Sequence, residues 1–405
     1  MDLLLPGTAP FFVMTKAVGS RCNLRCTYCY YTEKKRFYED RGVHDMSDEV
    51  LEHFVREYIR SQPVGEVTFT WHGGEALLRP LSFYEKVMEL QRKYGSGYQI
   101  ANCIQTNGTL LNDEWCRFFR RNDWLVGLSV DGPADVHDRF RKTASGGASF
   151  PQVMRGIERL VQHRVAWNIL AVVHAYNADR PAETYRFLKG LGTPFLQFTP
   201  VVERFRADGG LAAGNERGGK IADYSVTPAQ WGRFLCEVFD EWVREDVARV
   251  YVQTFDATLA NWVGADPAVC TLAPYCGNAV ALEFNGDVYA CDHFVFPEYR
   301  LGNLRDHSLI DMVFSPQQQQ FGRNKREALP AQCKACRFLF ACNGECPRNR
   351  FAESESGEPG LNYLCSGYYR FFEHAAPYMA FMKRELDGGR PPANIMKALR
   401  NGVIQ

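Results

Sequence analysis

Between residue 11 and about residue 200, short runs rich in β-branched and aromatic side chains alternate with longer segments whose apolar positions recur at helical period. The runs 11–18, 66–72, 99–106, 124–130, 167–173 and 195–199 predict strands. The segments 47–61, 81–94, 112–122, 150–163 and 181–190 predict helices. Ser47 and Asn112 stand where N-caps belong, each followed by acidic residues that suit the positive end of a helix dipole. Alternation of this kind predicts an α/β fold on a parallel sheet. Six βα units do not close an eight-stranded barrel, so the expected form is an open, partial (β/α)6 TIM-like barrel with its function at the C-terminal strand ends. The glycine-rich, charged stretch 204–223 reads as an exposed loop or linker. The sixth helix follows at 227–246, with Trp231, Phe234, Leu235, Val238 and Trp242 on one face. From about residue 251 ligand-rich loops dominate, until an aromatic helix at 368–386 and a short tail. The expected domains are therefore 1–250, 251–386 and a tail, 387–405.

Composition narrows the classes. The 405 residues are 46% hydrophobic and 13% aromatic, enough for one large core and a smaller one. Lys plus Arg (47) balances Asp plus Glu (47), so no net field exists to hold nucleic acid or an anionic membrane, and neither is an expected partner. Residues 1–10 lack a basic then apolar export signal and no apolar run is long enough to span a bilayer, so the expected location is cytoplasmic. Fourteen cysteines in such a chain are poorly explained as disulfides, which a reducing compartment would open; metal is the better reading. Cys103, Cys116 and Cys236 lie in strand or helix segments and read as small buried hydrophobes. The other eleven fall in two groups.

The first group, Cys22, Cys26 and Cys29, occupies the loop directly after the first predicted strand. Three thiolates can hold three irons of a [4Fe-4S] cube and leave the fourth open for chemistry. The alternative is zinc, which normally wants a fourth ligand nearby and a closed site. In the second group Cys270, Cys276 and Cys291 precede Cys333, Cys336, Cys342 and Cys346, with Cys365 further on. Eight cysteines suffice for two fully ligated cubes, suited to electron transfer or stapling; a pair of structural zinc sites fits the CxxC spacing as well.

CxxxCxxC after the first strand of a βα array, with Tyr28 before the last cysteine, closely resembles the radical S-adenosylmethionine (SAM) superfamily. The resemblance implies that SAM chelates the open iron and that one-electron cleavage of its sulfonium yields a hydrogen-abstracting adenosyl radical. His72-Gly73-Gly74-Glu75 ends the second strand, where the resemblance implies that Gly74 lets the backbone reach the SAM amino group; alone, the glycines would read as an ordinary turn. Tyr28, Ser129, Arg141 and Leu196 match family positions that bind SAM, and an arginine fork suits its carboxylate. The order and spacing of the later cysteines resemble the SPASM extension of these enzymes. That likeness assigns Cys270, Cys276, Cys291 and Cys346 to a first auxiliary cluster and Cys333, Cys336, Cys342 and Cys365 to a second, making three [4Fe-4S] clusters in all.

Within the superfamily the chain resembles the anaerobic sulfatase-maturating enzymes over nearly its whole length. The likeness is carried by Cys29-Tyr30-Tyr31, Thr70-Trp71-His72-Gly73-Gly74-Glu75, Gln105-Thr106-Asn107-Gly108-Thr109, the segments 126–133 and 285–292, and Asn362-Tyr363-Leu364-Cys365. It implies oxidation of a cysteine or serine of an unfolded or nascent sulfatase polypeptide to formylglycine, with an electron donor such as flavodoxin or ferredoxin as the other partner. Asp292, after the third cysteine of the first auxiliary cluster, corresponds to the catalytic base; without the family it would read as a turn residue. Tyr31 matches a peptide-pocket residue, and His72 stands where another member carries glutamine. The competing functions are peptide crosslinking by a related SPASM enzyme, for whose usual N-terminal recognition domain there is little room before Phe11, and a non-catalytic electron-transfer or zinc module, which leaves the three-cysteine loop unexplained.

Overall fold

The computed structural model describes residues 9–38, 42, 44–214, 216 and 218–403. In chain order the strands are β1 (Phe12–Lys16), β2 (Glu66–His72), β3 (Gln99–Thr106), β4 (Leu125–Ser129), β5 (Ala166–Val173), β6 (Phe195–Pro200), β7 (Arg204–Phe205), β8 (Lys220–Ile221), β9 (Tyr251–Val252), β10 (Ala279–Glu283), β11 (Asp287–Tyr289) and β12 (Arg300–Asn303). Helices α1 (Asp48–Arg60), α2 (Leu81–Tyr94), α3 (Asp113–Arg121), α4 (Ala134–Phe140), α5 (Phe150–Gln162), α6 (Pro181–Lys189), α7 (Pro228–Glu245) and α8 (Gln253–Val263) lie between them. The expected N-caps form: Ser47 Oγ accepts from the Val50 amide at 3.2 Å and Asn112 Oδ1 from the Trp115 amide at 2.9 Å, each worth about 1 kcal/mol. Thr227 and Gln230 close a reciprocal capping box at the start of α7.

Two compact units result, one comprising Met1–Ser129, Asp138–Trp167 and Gly277–Arg323, the other Val130–His137, Asn168–Cys276 and Asn324–Gln405. In the first, the strand order is β12, β11, β10, β1, β2, β3, β4. The run from β10 to β4 is parallel, while β11 and β12 are antiparallel additions. Alternation along β2 buries Val67, Phe69 and Trp71 under the helices. There Phe54 and Tyr58 of α1, Tyr84 of α2 and Trp115 of α3 interlock with Phe69, Trp71 and Trp124, for example at 5.6 Å between the centroids of Tyr84 and Trp124. The sequence pattern places residues 279–283 among loops; the fold makes them a strand that lies against β1. That register sets Lys16 beside His72 on one side and Glu283 on the other.

In the second unit β5, β6 and β9 are parallel neighbours. Helix α7 packs on the aromatic helix Cys365–Asp387, where Phe239 meets Phe255 of α8 at 5.2 Å and Phe371 at 5.8 Å. The stretch 204–223, expected as a loop or linker, is held together by one buried arginine. Arg204 donates to the carbonyls of Ala213, Gly214, Glu216 and Gly218, and β7 pairs with β8; Asn215 and Arg217 lie outside the described residues.

The α7 contact is close enough to require glycine. A Cβ on Gly367 would lie 2.3 Å from the Pro228 carbonyl oxygen, and one on Gly232 would lie 2.9 Å from the Gly367 Cα. Alanine normally stabilises a helix interior by about 1 kcal/mol over glycine. Here Gly367→Ala should instead destabilise by about 2 kcal/mol through overpacking. Thermal denaturation of wild type and variant checks the sign: a higher melting temperature for the alanine variant would refute the close contact.

Candidate active site

The three-thiol loop is tied down by main-chain bonds to the end of α4 and the residues just after it: the Arg25 amide donates to Lys142 O at 2.8 Å and the Thr27 amide to Phe140 O at 2.9 Å. Side chains join it to one other family-like segment, 105–109, which in turn bonds to a second. Asn107 Nδ2 donates to Asn23 Oδ1 at 2.9 Å, Asn23 Nδ2 donates to Thr109 Oγ1 at 2.8 Å, and the Leu24 amide points at Cys22 Sγ, 3.4 Å away. Glu75, buried, accepts from Thr106 Oγ1 at 2.7 Å and from the amides of Asn107 and Leu77 at 2.8 and 2.9 Å. Segments 22–29, 72–75 and 105–109, distant in sequence, are thus one hydrogen-bonded assembly. Cys22, Cys26 and Cys29 are half-buried thiols that form no disulfide, and burial followed by Glu75 pushes Cys22 up to about 12. Such a thiol ionises when a metal supplies the compensating charge, so the donor set fits a cluster.

The residues assigned to SAM are placed as follows. The Gly74 amide donates to Gly19 O at 2.8 Å, and a Cβ at Gly74 would lie 2.0 Å from Arg21 O, so no side chain fits there. Tyr28 is buried with its ring 6.1 Å from Phe140, and the Arg141 guanidinium lies 5.5 Å over that ring. Ser129 Oγ, at the end of β4, accepts from Gln105 Nε2 at 3.0 Å. Leu196 belongs to the second unit, where its side chain is buried in β6 and lines a cavity of about 410 Å³ with Asn168, Phe195, Gln197, Tyr251 and Asp256.

Asp292 sits in a charged cluster within the first unit. Lys16, fully buried, pairs with its Oδ1, and Tyr30, the residue after Cys29, donates to its Oδ2 at 2.5 Å. Burial works against ionisation of Asp292, but Lys16, then His72 and His293, outweigh it and hold the carboxyl well below the usual range. His72 Nδ1 lies 3.1 Å from Lys16 Nζ and accepts from the Gly73 amide at 2.8 Å; burial, then Lys16, lowers the imidazole to about 4, so it is neutral at pH 7. Tyr31, buried under the Lys16 ammonium at 4.3 Å, donates to Glu283, as Tyr38 does at 3.1 Å. Burial raises Glu283 to about 7 against those tyrosines and Lys16. Sequence reasoning named Asp292, Tyr31 and His72 but missed Lys16, Tyr30, Tyr38 and Glu283. The available signal was a charged residue ending each of two largely apolar strands.

The later cysteines in the second unit form two neighbourhoods. Cys346 interacts electrostatically with Cys270 and Cys276; Cys333 does so with Cys336, Cys365 with both of these, and Cys342 with Cys333 and Cys365. Cys291 belongs to the first unit. Cys342 and Cys346 fall in different sets, and between them Asn343, Gly344 and Glu345 all have positive φ (48°, 70° and 52°). That run of left-handed residues makes the sharp reversal, and a Cβ on Gly344 would lie 2.3 Å from Leu329 Cδ2. Buried Arg350 pins the turn by donating to the carbonyls of Asn343, Gly344 and Glu345, and buried Lys325 donates to those of Cys270 and Thr271. Neither cation was singled out from the sequence. Burial pushes Cys276 and Cys365 up to about 11 and Cys342 to about 12, again thiols that suit a metal's charge. Among the described residues no three His, Cys, Asp or Glu side chains converge on a single ion position.

Comparison with known proteins agrees with this geometry. The family model described as the radical SAM superfamily matches residues 17–188, and the SPASM model, an iron-sulfur cluster-binding domain, matches residues 270–337. A serine-type anaerobic sulfatase-maturating enzyme of Bacteroides thetaiotaomicron is 57% identical over 99% of this chain and 98% of its own. A cysteine-type enzyme of Clostridium perfringens is 34% identical over 91% of this chain and 97% of its own. The solved structure of native anSMEcpe with bound AdoMet and Cp18Cys peptide superposes with a TM-score of 0.82 at 33% identity, covering 93% of this chain and 99% of that one. The fold class expected from the sequence holds: a radical SAM (β/α) core with a C-terminal SPASM domain.

The cluster around Lys16 makes a pH-dependent prediction. Glu283 has a folded value of about 7 against an ordinary 4.5, so its contribution to stability is lost as pH rises through that window. His72, lowered from 6.5 to about 4, acts in the opposite sense between those values. Glu283→Gln removes only the first effect. Its stability relative to wild type should therefore grow from pH 5.5 to 7.5, by on the order of 2 kcal/mol. Urea unfolding at both pH values measures this, and a difference that stays constant would contradict the assignment.

Proposed function

The chain belongs to the anaerobic sulfatase-maturating enzymes, radical SAM oxidoreductases that convert a cysteine or serine of a sulfatase to formylglycine, and we propose that its preferred target is serine. The serine-type relative is far closer in sequence than the cysteine-type one. The structural observation that carries the assignment of the site is the 2.5 Å bond from Tyr30 to Asp292, which ties the three-thiol loop to the residue assigned as the base.

On this reading Cys22, Cys26 and Cys29 hold a [4Fe-4S] cluster with one open iron, and Tyr28, Gly74, Ser129, Arg141 and Leu196 bind SAM. Cys270, Cys276, Cys291 and Cys346 hold one auxiliary cluster; Cys333, Cys336, Cys342 and Cys365 hold another. When bound, these groups supply the one-electron chemistry: hydrogen-atom abstraction at the target Cβ and uptake of the electron left behind. The chain's own residues do the rest. Asp292, kept ionised by Lys16, takes the proton from the target hydroxyl or thiol. Tyr31 and His72 line the peptide pocket, with His72 neutral. The barrel spans 1–250 and the cluster-binding domain 251–386; a flavodoxin or ferredoxin donates electrons, and the enzyme works in the cytoplasm on unfolded sulfatase.

Two measurements test this. Anaerobically reconstituted protein should contain about twelve irons, and alanine at Cys22, Cys26 and Cys29 together should remove about four and end 5'-deoxyadenosine release; zinc in place of iron, or continued SAM cleavage by the variant, would overturn the cluster assignment. With SAM and a reductant, paired sulfatase-motif peptides carrying serine or cysteine should both reach the aldehyde, the serine peptide by losing two hydrogens and the cysteine peptide by losing two hydrogens and then exchanging its sulfur for a water oxygen as hydrogen sulfide leaves, serine at the higher kcat/KM. Mass spectrometry reads the product: a clear preference for cysteine would reverse the specificity, and a crosslinked product would reverse the function.

A further inference from the structure

A lysine with no exposed surface needs every one of its three N–H donors directed. Lys16 achieves this at the end of β1. Its Nζ contacts Asp292 Oδ1, lies 3.1 Å from His72 Nδ1 and 3.4 Å from Met14 Sδ, and stands 4.3 Å over the Tyr31 ring. Three of those four neighbours are residues assigned to the base and the peptide pocket, although Lys16 is itself outside every motif read from the sequence.

We propose that Lys16 is the positioning residue of this site: one buried ammonium that orients the Asp292 carboxylate and sets the tautomer of His72. An ammonium offers donors and no acceptor, so the His72 nitrogen facing it accepts. The same Nδ1 also accepts from the Gly73 amide at 2.8 Å, which leaves the ring proton on Nε2 as a donor for the pocket. Asp292 is held at both ends, its buried Oδ1 by the ion pair with Lys16 and its Oδ2 by the hydrogen bond from Tyr30. Register explains why a lysine does this: parallel pairing places Lys16 between Glu283 and His72 in one row, so the cation bridges two strands and reaches Asp292 as well. An apolar side chain would pack at this position at lower cost than a buried ion pair, so the contribution of the ammonium lies in what it directs.

The proposal rests on the reading of Asp292 as base, and the test separates the two. Holoenzyme variants Lys16→Met, Lys16→Gln, Asp292→Asn and Lys16→Met with Asp292→Asn are assayed for formylglycine formed per 5'-deoxyadenosine released, with iron content recorded. Lys16→Met should lower that ratio about tenfold or more, and Lys16→Gln, which still donates, by less. In the Asp292→Asn background Lys16→Met should add nothing, because the residue acts through the carboxylate. A wild-type ratio in Lys16→Met, or effects that multiply in the double variant, overturns the proposal. So does loss of iron in both Lys16 variants, which would make the residue a support of the fold. A wild-type ratio in Asp292→Asn alone instead removes the base assignment.

Discussion

An ammonium buried in an apolar interior is stable only beside a counter-charge, and breaking such a pair typically costs about 3–5 kcal/mol. In this protein the pair is Lys16 with Asp292, and much of the first unit is arranged around it. Lys16 sits at the end of β1 with its partners supplied by β2, by the loop after the three thiols, and by the turn that follows β11. Moving the Asp292 turn would strand a charge, and moving either of the others would take a partner from the ammonium. The strand register, the Tyr30-Tyr31 pair and the position of Asp292 are therefore mutually dependent.

That dependence has a chemical consequence. A carboxylate next to a cation stays ionised across the physiological range, which suits a group that must be ready to accept a proton, but it is a weaker base than a solitary buried carboxylate. Glu283, beside Lys16 in the strand row, shows the other outcome: burial raises it to about 7 although two tyrosines and Lys16 work against the rise. Two acids that both interact with one lysine thus have opposite protonation tendencies, and the direct ion pair with Lys16 keeps Asp292 the ionised one.

The second unit solves a different problem, that of bringing thiols from distant segments into two sets. Its answer is a reversal with three successive left-handed residues, 343–345, stapled by Arg350. Left-handed backbone at Asn343 and Glu345 costs on the order of 1 kcal/mol each, and the bonds from a buried guanidinium offset it. A sharper turn allows Cys342 and Cys346, four residues apart, to face different neighbourhoods.

Local periodicity and ligand spacing were enough to determine the βα succession, the capped helices, the three-thiol loop and the membership of the family. Each depends on residues near one another in the chain: alternation marks the buried face of β2, Ser47 and Asn112 mark helix starts, and CxxxCxxC marks the loop. What only the tertiary structure decided are pairings across long chain separations. Residues 279–283 are too short a run to declare themselves a strand, and they become one because the open edge of β1 supplies hydrogen bonds. Tyr30 and Asp292 are 262 residues apart, and no local signal links them. Lys16 looks like an ordinary strand-end lysine until β2 and β10 close on it. The physical reason is that local patterns record which face of an element is buried, whereas the choice of neighbour is made by burial energy and charge pairing after the chain has closed its long loops.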